Sequence, residues 1–239
     1  MKSFTIWLCE ETLKGGAAAG KLEIHSTSIN QAVDHAVGVL GDEKYAEIAN
    51  FPENYKIAKA QASRGWTKRK DMPVITSRDV HEFQNRIQQG FIDLKKPFAS
   101  DTDPNKPFPS GLKGDRAKQW MQNGLAKFDG DPSDDRVSVS SKRIPVSQLK
   151  PIQKQIYVDK ALDAMARGTL ESTKNFLSTQ TLYITSSDNY IIDGHHRYLA
   201  GMLIDPNMKV QTISINLPIK VLLPLALAYG DAIGNSRNK

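Results

Sequence analysis

Cysteine and long apolar runs are the two features that this sequence has least of. Cys9 is the only cysteine among 239 residues, which excludes an intramolecular disulfide and a cysteine-based zinc cage. The best candidate for a membrane span, 219–229, is too short and contains Pro224. Glu10 and Glu11 directly follow the short apolar N-terminal stretch, which argues against a signal peptide. We therefore expect a cytoplasmic protein without a membrane partner.

The charge balance is moderately basic. The chain has 32 Lys and Arg against 26 Asp and Glu, a formal net charge of +6. Such an excess attracts nucleic acid and other polyanions over long distances, although ordinary solubility charge explains it equally well. The hydrophobic content of 39% is enough to build a core in one large domain or two modest ones.

The N-terminal part has the pattern of an α+β domain. Two strands are predicted at 4–8 and 21–26, followed by a helix that begins at Ser28 or Asn30 and ends at Gly41. Further predictions are a helix over 43–49, a short strand at 74–75, and a helix capped by Ser77 and ended by Gly90, with Val80, Phe83 and Ile87 on one face.

A change in composition separates the two halves of the chain. Residues 95–114 are rich in Pro, Ser, Asp and Asn and predict a linker, which a short helix over 115–128 and an acidic turn-rich segment at 129–135 follow. We place a domain boundary near residue 130. This divides the chain into an N-terminal α+β domain of unknown role at 1–130 and a second domain at 131–239.

The second domain alternates strands and helices, which predicts a small mixed sheet and an overall α/β (α+β) class. The predicted elements are extended chain at 137–145, a helix at 157–166, strands at 181–185 and 190–192 joined by a turn, a helix from Gly194 to 204, a strand at 210–217 and a helix at 222–232.

The sequence Asp193-Gly194-His195-His196-Arg197 lies where the second hairpin strand gives way to a helix. Glycine at such a turn lets a ligand approach the backbone, and the helix start attracts anions. Arginine grips phosphate oxygens and histidine moves protons. The alternatives are that the histidines pack against the hairpin and that Asp193 merely caps the helix. Three consecutive ionisable side chains cannot all face a core, which favours a phosphate site.

This motif, the hairpin before it and the Ile-Pro-Val-Ser-Gln-Leu-Lys-Pro segment at 144–151 resemble the ParB/sulfiredoxin superfamily over about 137–217. The resemblance implies a nucleotide site, with phosphate bound by Gly194, His196 and Arg197. It also suggests that Gln153, Lys154 and Gln155 line the pocket. His195 stands where sulfiredoxins have their catalytic cysteine, so sulfinic acid reduction is not expected.

The Asp-Gly-His-His-Arg form is closest to the kinase-like and ParB-like nuclease members of that superfamily. The resemblance implies a phosphotransferase or ATP-hydrolysing enzyme that uses ATP or another nucleotide with Mg²⁺. Asp193, His195 and His196 would be its catalytic residues, and Asp193 its Mg²⁺ ligand. The alternative is a DNA-associated protein, either a ParB-like nuclease or a non-catalytic DNA-binding protein.

Two further patterns lie in the N-terminal part. The basic stretch at 64–70 places a tryptophan among cations, a composition that suits phosphate contacts with base stacking; its members are Arg64, Trp66, Lys68, Arg69 and Lys70. A solvated loop with a half-buried tryptophan explains it equally well. Residues 15–21 match G-x-x-x-x-G-K, but leucine follows instead of Ser or Thr, so we expect a hairpin loop there.

Overall fold

The structure is a computed structural model that describes residues 22–75, 79–90, 92, 94, 114–116 and 133–235. The predicted strand at 4–8, the glycine-rich loop at 15–21, the Ser77 cap, the linker and most of the helix over 115–128 lie outside the described residues. Only 133–135 of the acidic segment are described, and 114–116 are helical.

Eight helices of five residues or more lie in the described part of the chain. They are α1 (Ile29–Leu40), α2 (Asp42–Ala46), α3 (Phe51–Ala62), α4 (Val80–Gln89), α5 (Val158–Ala166), α6 (Leu170–Asn175), α7 (His195–Ile204) and α8 (Ile219–Ala232). Short 3₁₀ turns occur at Arg69–Asp71 and Val146–Gln148, and a π turn at Phe176–Gln180 follows α6. None of the described helices is both long enough and apolar enough to cross a bilayer.

Four strands form one mixed sheet, as the predicted α+β class requires. They are β1 (Val139–Pro145), β2 (Leu182–Thr185), β3 (Ile191–Asp193) and β4 (Lys209–Ile215), in the spatial order β1-β4-β2-β3. β4 is antiparallel to β1 and parallel to β2, while β2 and β3 form an antiparallel hairpin. The hairpin turn contains Asn189 at φ 65°, which suits an asparagine. The sheet leads directly into α7 at the end of β3.

Local sequence signals explain where α1 and α4 begin and end. Ser28 accepts a hydrogen bond from Gln31 N and the Gln31 side chain accepts one from Ser28 N, a capping box that starts α1. Gly41 ends α1 at φ 78°, and Gly90 ends α4 in the left-handed conformation. The prediction for α1 is confirmed. For α4 the helix and its end at Gly90 are confirmed, but Asp79, which a cap at Ser77 would place inside the helix, is the N-cap.

Two predicted strands and one predicted helix end need correction. Residues 24–26 form a turn, and Glu23 makes only an isolated bridge to Tyr157. The predicted strand at 21–26 is therefore wrong for its described residues. Residues 74–75 belong to no strand either. In both places a few β-branched residues gave the strand signal, but the backbone finds no neighbouring strand to pair with. Helix α2 is shorter than predicted and ends at Ala46.

Helix α3 was not predicted from the sequence. Its buried face consists of Phe51, Asn54, Tyr55, Ala58 and Ala62, so polar and small residues dilute the apolar pattern. Asn54 donates from its amide to Leu203 O in α7 at 3.0 Å. The Tyr55 hydroxyl lies 3.2 Å from Ile24 O and 3.0 Å from Thr27 O. These contacts fasten α3, and the basic segment that follows it, to the rest of the fold.

Residues from both sides of position 130 share two hydrophobic clusters. One cluster joins α1 and α3 to α5 and α7, and the other joins α4 to β2, β4 and α8. The predicted boundary itself falls among residues outside the described part, and the division into two domains stays a prediction. Within the described residues, the N-terminal helices pack directly against the elements that carry the motif at 193–197.

Candidate functional site

Within the motif, Gly194 lies between the end of β3 and the start of α7, as the sequence predicts. Gly194 has φ 113° and ψ 19°, a backbone conformation that residues other than glycine rarely adopt. A Cβ atom here would lie 2.7 Å from Cδ1 of Tyr183 and 3.2 Å from Arg197 Nη2. No side chain caps the helix start. Glycine is therefore needed for both the backbone angle and the close packing.

Asp193 and Arg197 flank this turn and form an ion pair. Arg197 Nη2 donates to Asp193 Oδ2 at 2.7 Å and to Leu182 O at 3.1 Å. The guanidinium carbon lies 5.6 Å from the centre of the Tyr183 ring. The two side chains are 16% and 33% exposed, Arg197 being the more buried. Arg197, the predicted phosphate ligand, is therefore in direct contact with Asp193, the predicted Mg²⁺ ligand. Their opposite charges partly neutralise each other.

His195 faces inward. It is only 4% exposed, and its Nε2 accepts hydrogen bonds from the backbone N–H groups of Ile152 and Gln153 at 3.2 and 3.3 Å. A nitrogen that accepts two N–H groups carries no proton, so the ring is neutral with its proton on Nδ1. His195 thus fixes the 152–153 backbone against the start of α7.

His196 faces outward and is half-buried. Its ring stacks on Tyr157 with a centroid separation of 6.0 Å and an interplanar angle of 9°. Its Nε2 lies 3.5 Å from Arg69 Nη1, and the Arg69 guanidinium carbon lies 5.7 Å from the Tyr157 ring centre. The two neighbouring histidines therefore have different environments. His196 is the one that lies beside the partly exposed side chains of Arg69 and Tyr157.

The structure brings the basic segment at 64–70 to this position. The N–H groups of Trp66 and Thr67 donate to Ile152 O, and Lys154 N donates to Thr67 O at 2.8 Å, so the two segments run side by side. Arg69 N donates to the side chain of Gln155 at 2.7 Å. Arg69 thus reaches His196 from a position 127 residues away in the chain.

The other members of the predicted nucleic-acid segment lie nearby. Arg64, Lys68 and Lys70 are exposed, whereas Trp66 is half-buried with its ring 5.2 Å from that of Tyr190. Gly65 lets the segment approach the neighbouring loop, because a Cβ atom there would lie 2.8 Å from Gln153 O. Two groups of residues that the sequence analysis treated separately are therefore neighbours.

Sequence reasoning missed two aromatic residues of the site, Tyr157 and Tyr183. Tyr157 precedes the first residue of α5, and no local pattern distinguishes it from an ordinary surface tyrosine. Tyr183 is fully buried beneath Gly194, and its hydroxyl has no hydrogen-bond partner. Burial raises the pKa of Tyr183 well above its usual range, while nearby Arg197 lowers it and Asp193 raises it. The phenol therefore stays protonated beneath the turn.

The described residues contain no group of three or more His, Cys, Asp or Glu side chains that could hold a metal ion. Asp193 alone satisfies no dedicated metal site. Mg²⁺ is, however, often held by one or two carboxylates together with substrate phosphates and water. The predicted role of Asp193 is compatible with that arrangement and stays a prediction.

Comparisons with family models, with curated proteins and with solved structures gave no match to this chain. The resemblance to the ParB/sulfiredoxin superfamily therefore stays a prediction that depends on the motif and its local geometry. Function has to be argued from the side chains themselves.

Proposed function

We propose that the turn at 193–197 binds the phosphates of a nucleotide, and that the protein is a nucleotide-dependent phosphotransferase or ATP-hydrolysing enzyme. One observation carries this proposal: an uncapped helix start on a left-handed glycine, with His196 and Arg69 gathered beside it. Helix N-termini attract anions through their N–H groups and their partial positive charge. The neighbouring Arg69 guanidinium adds donors and positive charge, and the His196 imidazole adds a further hydrogen-bonding group.

Arg69 and His196 are the residues that we assign to phosphate contact. Both side chains are partly exposed, and Arg69 Nη1 lies 3.5 Å from His196 Nε2. A phosphate oxygen beside them accepts a charge-assisted hydrogen bond from the Arg69 guanidinium, and the His196 ring adds a further hydrogen-bonding group. Gly194 supplies the backbone turn that starts α7 and thereby places His196 in the first turn of the helix.

Arg197 has a different function from Arg69 and His196 in this proposal, because its guanidinium already contacts Asp193 and Leu182 O. It orients the Asp193 carboxylate and adds positive charge under the turn. A direct phosphate contact by Arg197 requires that its guanidinium be shared with Asp193. Asp193 is the carboxylate that we assign to Mg²⁺, which would neutralise phosphate charge when bound.

His195 is a positioning residue in this proposal, not a proton donor or acceptor to substrate. Its buried ring accepts two backbone N–H groups and keeps the 152–153 segment in place. That segment in turn holds the backbone of the basic segment through Ile152 O. Of the two histidines, we assign proton transfer to His196. It takes the proton of an acceptor hydroxyl or water as that oxygen bonds to the terminal phosphorus and the bridging P–O bond breaks, with the nucleoside diphosphate as leaving group.

The test is calorimetric titration with ATP, ADP and CTP in the presence of Mg²⁺, on the full chain. We expect micromolar binding that Arg69→Ala and His196→Ala each weaken by roughly tenfold or more, the loss of one charge-assisted contact. Arg197→Ala should also weaken binding, with some loss of stability because it removes the Asp193 contact. Lys209→Ala removes an exposed charge at the start of β4 and is the matched control.

The absence of binding for all three nucleotides by a folded wild-type protein would reject the proposal. Equal losses in Lys209→Ala and Arg69→Ala would also contradict it, because binding would then follow net charge alone and not this site. Thermal denaturation of each variant, run in parallel, separates a lost contact from a lost fold. Hydrolysis or transfer is measured next, with inorganic phosphate release as the readout.

A further inference from the structure

A row of aromatic rings and cations leads away from the proposed nucleotide site. At its far end, the Lys150 ammonium lies 5.1 Å above the Tyr190 ring centre, and the Tyr190 ring meets Trp66 edge-on at 5.2 Å. At its near end, Arg69 lies beside the stacked rings of Tyr157 and His196. We call this row the aromatic-basic strip. It joins the basic segment to the hairpin and to the start of α7.

Backbone contacts hold the strip in one arrangement. Lys150 N donates to Asn189 O and Ile191 N donates to Lys150 O, which fixes Tyr190 next to Lys150. Thr67 and Gln153 are paired in parallel register, and both side chains are buried. The next residue on each segment, Lys68 and Lys154, is exposed. Two lysines therefore stand side by side between the two aromatic ends.

The composition of the strip matches one class of ligand. Its rings are half-buried, so each is anchored on one side and accessible on another. Its cations are on the surface, where they are hydrated and able to reach phosphates. Aromatic rings alternating with lysine and arginine are what unpaired bases and their backbone require, because bases stack on rings while cations follow the phosphates.

We propose that the aromatic-basic strip binds single-stranded nucleic acid, with Trp66 and Tyr190 stacking on bases and Lys68, Lys150 and Lys154 following the phosphates. In a duplex the bases stack on one another, so a duplex makes only the phosphate contacts with the strip. An anionic lipid surface or an acidic peptide pairs with the lysines but has no bases to stack on the rings. Trp66, Tyr190 and the three lysines are not among the residues assigned to the nucleotide phosphates, whereas Arg69 and His196 at the near end belong to both groups. The inference stands whether or not the nucleotide site is active.

The first measurement is fluorescence anisotropy of labelled oligonucleotides of about 12 nucleotides, a length within the usual site sizes of such proteins. Single-stranded DNA and RNA, the matching duplex, and heparin as a polyanion without bases are compared at several salt concentrations. Four cations of the strip, with Arg69 included, predict a salt slope of about −3 for a single strand. Lys68→Ala/Lys150→Ala should reduce the magnitude of that slope by about 1.4 and leave ATP binding unchanged.

The second measurement detects stacking directly. The chain contains three tryptophans, and Trp7→Phe/Trp120→Phe leaves Trp66 as the only one. We expect single-stranded oligonucleotide to quench the Trp66 fluorescence. We also expect Tyr190→Ala, in the wild-type background, to weaken binding by roughly 5- to 150-fold, the usual range for one stacked base. Lys209→Ala again serves as the charge control and should alter binding little.

Three results would overturn the inference. The first is that the folded protein binds no oligonucleotide at low salt. The second is that duplex or heparin binds as tightly as the single strand, which leaves no role for the rings. The third is that Lys209→Ala lowers affinity as much as Lys68→Ala does. Because the nucleotide site is tested with other variants and another ligand, failure of one proposal is distinguishable from failure of the other.

Discussion

Replacing Gly194 with alanine tests the geometry on which the candidate site depends. The added Cβ meets two obstacles, a backbone at φ 113° and the ring of Tyr183 at 2.7 Å. The Tyr183 ring cannot move aside easily, because it is fully buried in the core cluster. Arg197 Nη2 would also lie only 3.2 Å from the added Cβ. The turn must therefore move, or the ring must.

The expected cost follows from these two contributions. A non-glycine residue in a sparsely populated backbone region costs of order 1–3 kcal/mol, and overpacking of a filled core costs about as much again. We expect Gly194→Ala to lower the free energy of unfolding by about 2–6 kcal/mol, the sum of the two. For a chain of this size, that corresponds to a fall in the melting temperature of roughly 4–24 °C. Differential scanning calorimetry or urea denaturation measures either quantity.

Gly38→Ala is the matched control for this experiment. Gly38 lies inside α1 with no atom within 4 Å of an added Cβ and without a positive φ. The same substitution there should raise stability by about 0.5–1 kcal/mol, because alanine favours the helix and restricts the unfolded chain. Unchanged stability in Gly194→Ala, or effects of the same sign at both positions, would refute the geometry assigned to the turn.

Four further substitutions test the roles assigned to individual side chains. His195→Ala should lower the free energy of unfolding by about 2–4 kcal/mol in urea, because two buried N–H groups lose their acceptor, whereas His196→Ala should change it by less than about 1 kcal/mol. Tyr183→Phe should leave stability unchanged or raise it by about 1 kcal/mol, since it removes a buried hydroxyl without a partner. Burial raises the pKa of Tyr55 to about 12 from 10.0, so its contribution to stability is complete below pH 10 and is lost as pH rises towards 12. Tyr55→Phe should therefore show a shallower loss of stability over that range in alkaline denaturation. Equal behaviour of the two histidine variants, marked destabilisation by Tyr183→Phe, or an unchanged alkaline profile would contradict the respective assignment.

The sequence was most informative where the signal lies within a few consecutive residues. Ser28 or Asn30 as the cap and the glycine after Leu40 predict the bounds of α1, and the structure agrees, with Ser28 as the cap. The glycine after a strand predicts the start of α7 at the correct residue. Such signals work because caps and left-handed turns are satisfied by contacts within about five residues.

It was least informative where an element depends on distant partners. Helix α3 has a buried face diluted by Asn54, Ala58 and Ala62, and it is stabilised by contacts with α7 and with the 24–27 turn. The expected strands at 21–26 and 74–75 had suitable residues but found no neighbouring strand. In both cases the outcome depends on long-range packing, which local propensity does not contain.

The sequence by itself determined that a glycine, two histidines and an arginine would follow β3 at the start of a helix. It could not decide that His195 turns inward to the backbone of Ile152 while His196 turns outward to Tyr157. It also could not place Arg69 beside His196, because 127 residues separate them in the chain. Helical periodicity fixes the angle between neighbouring side chains, but only the packing of the whole fold decides which direction is inside.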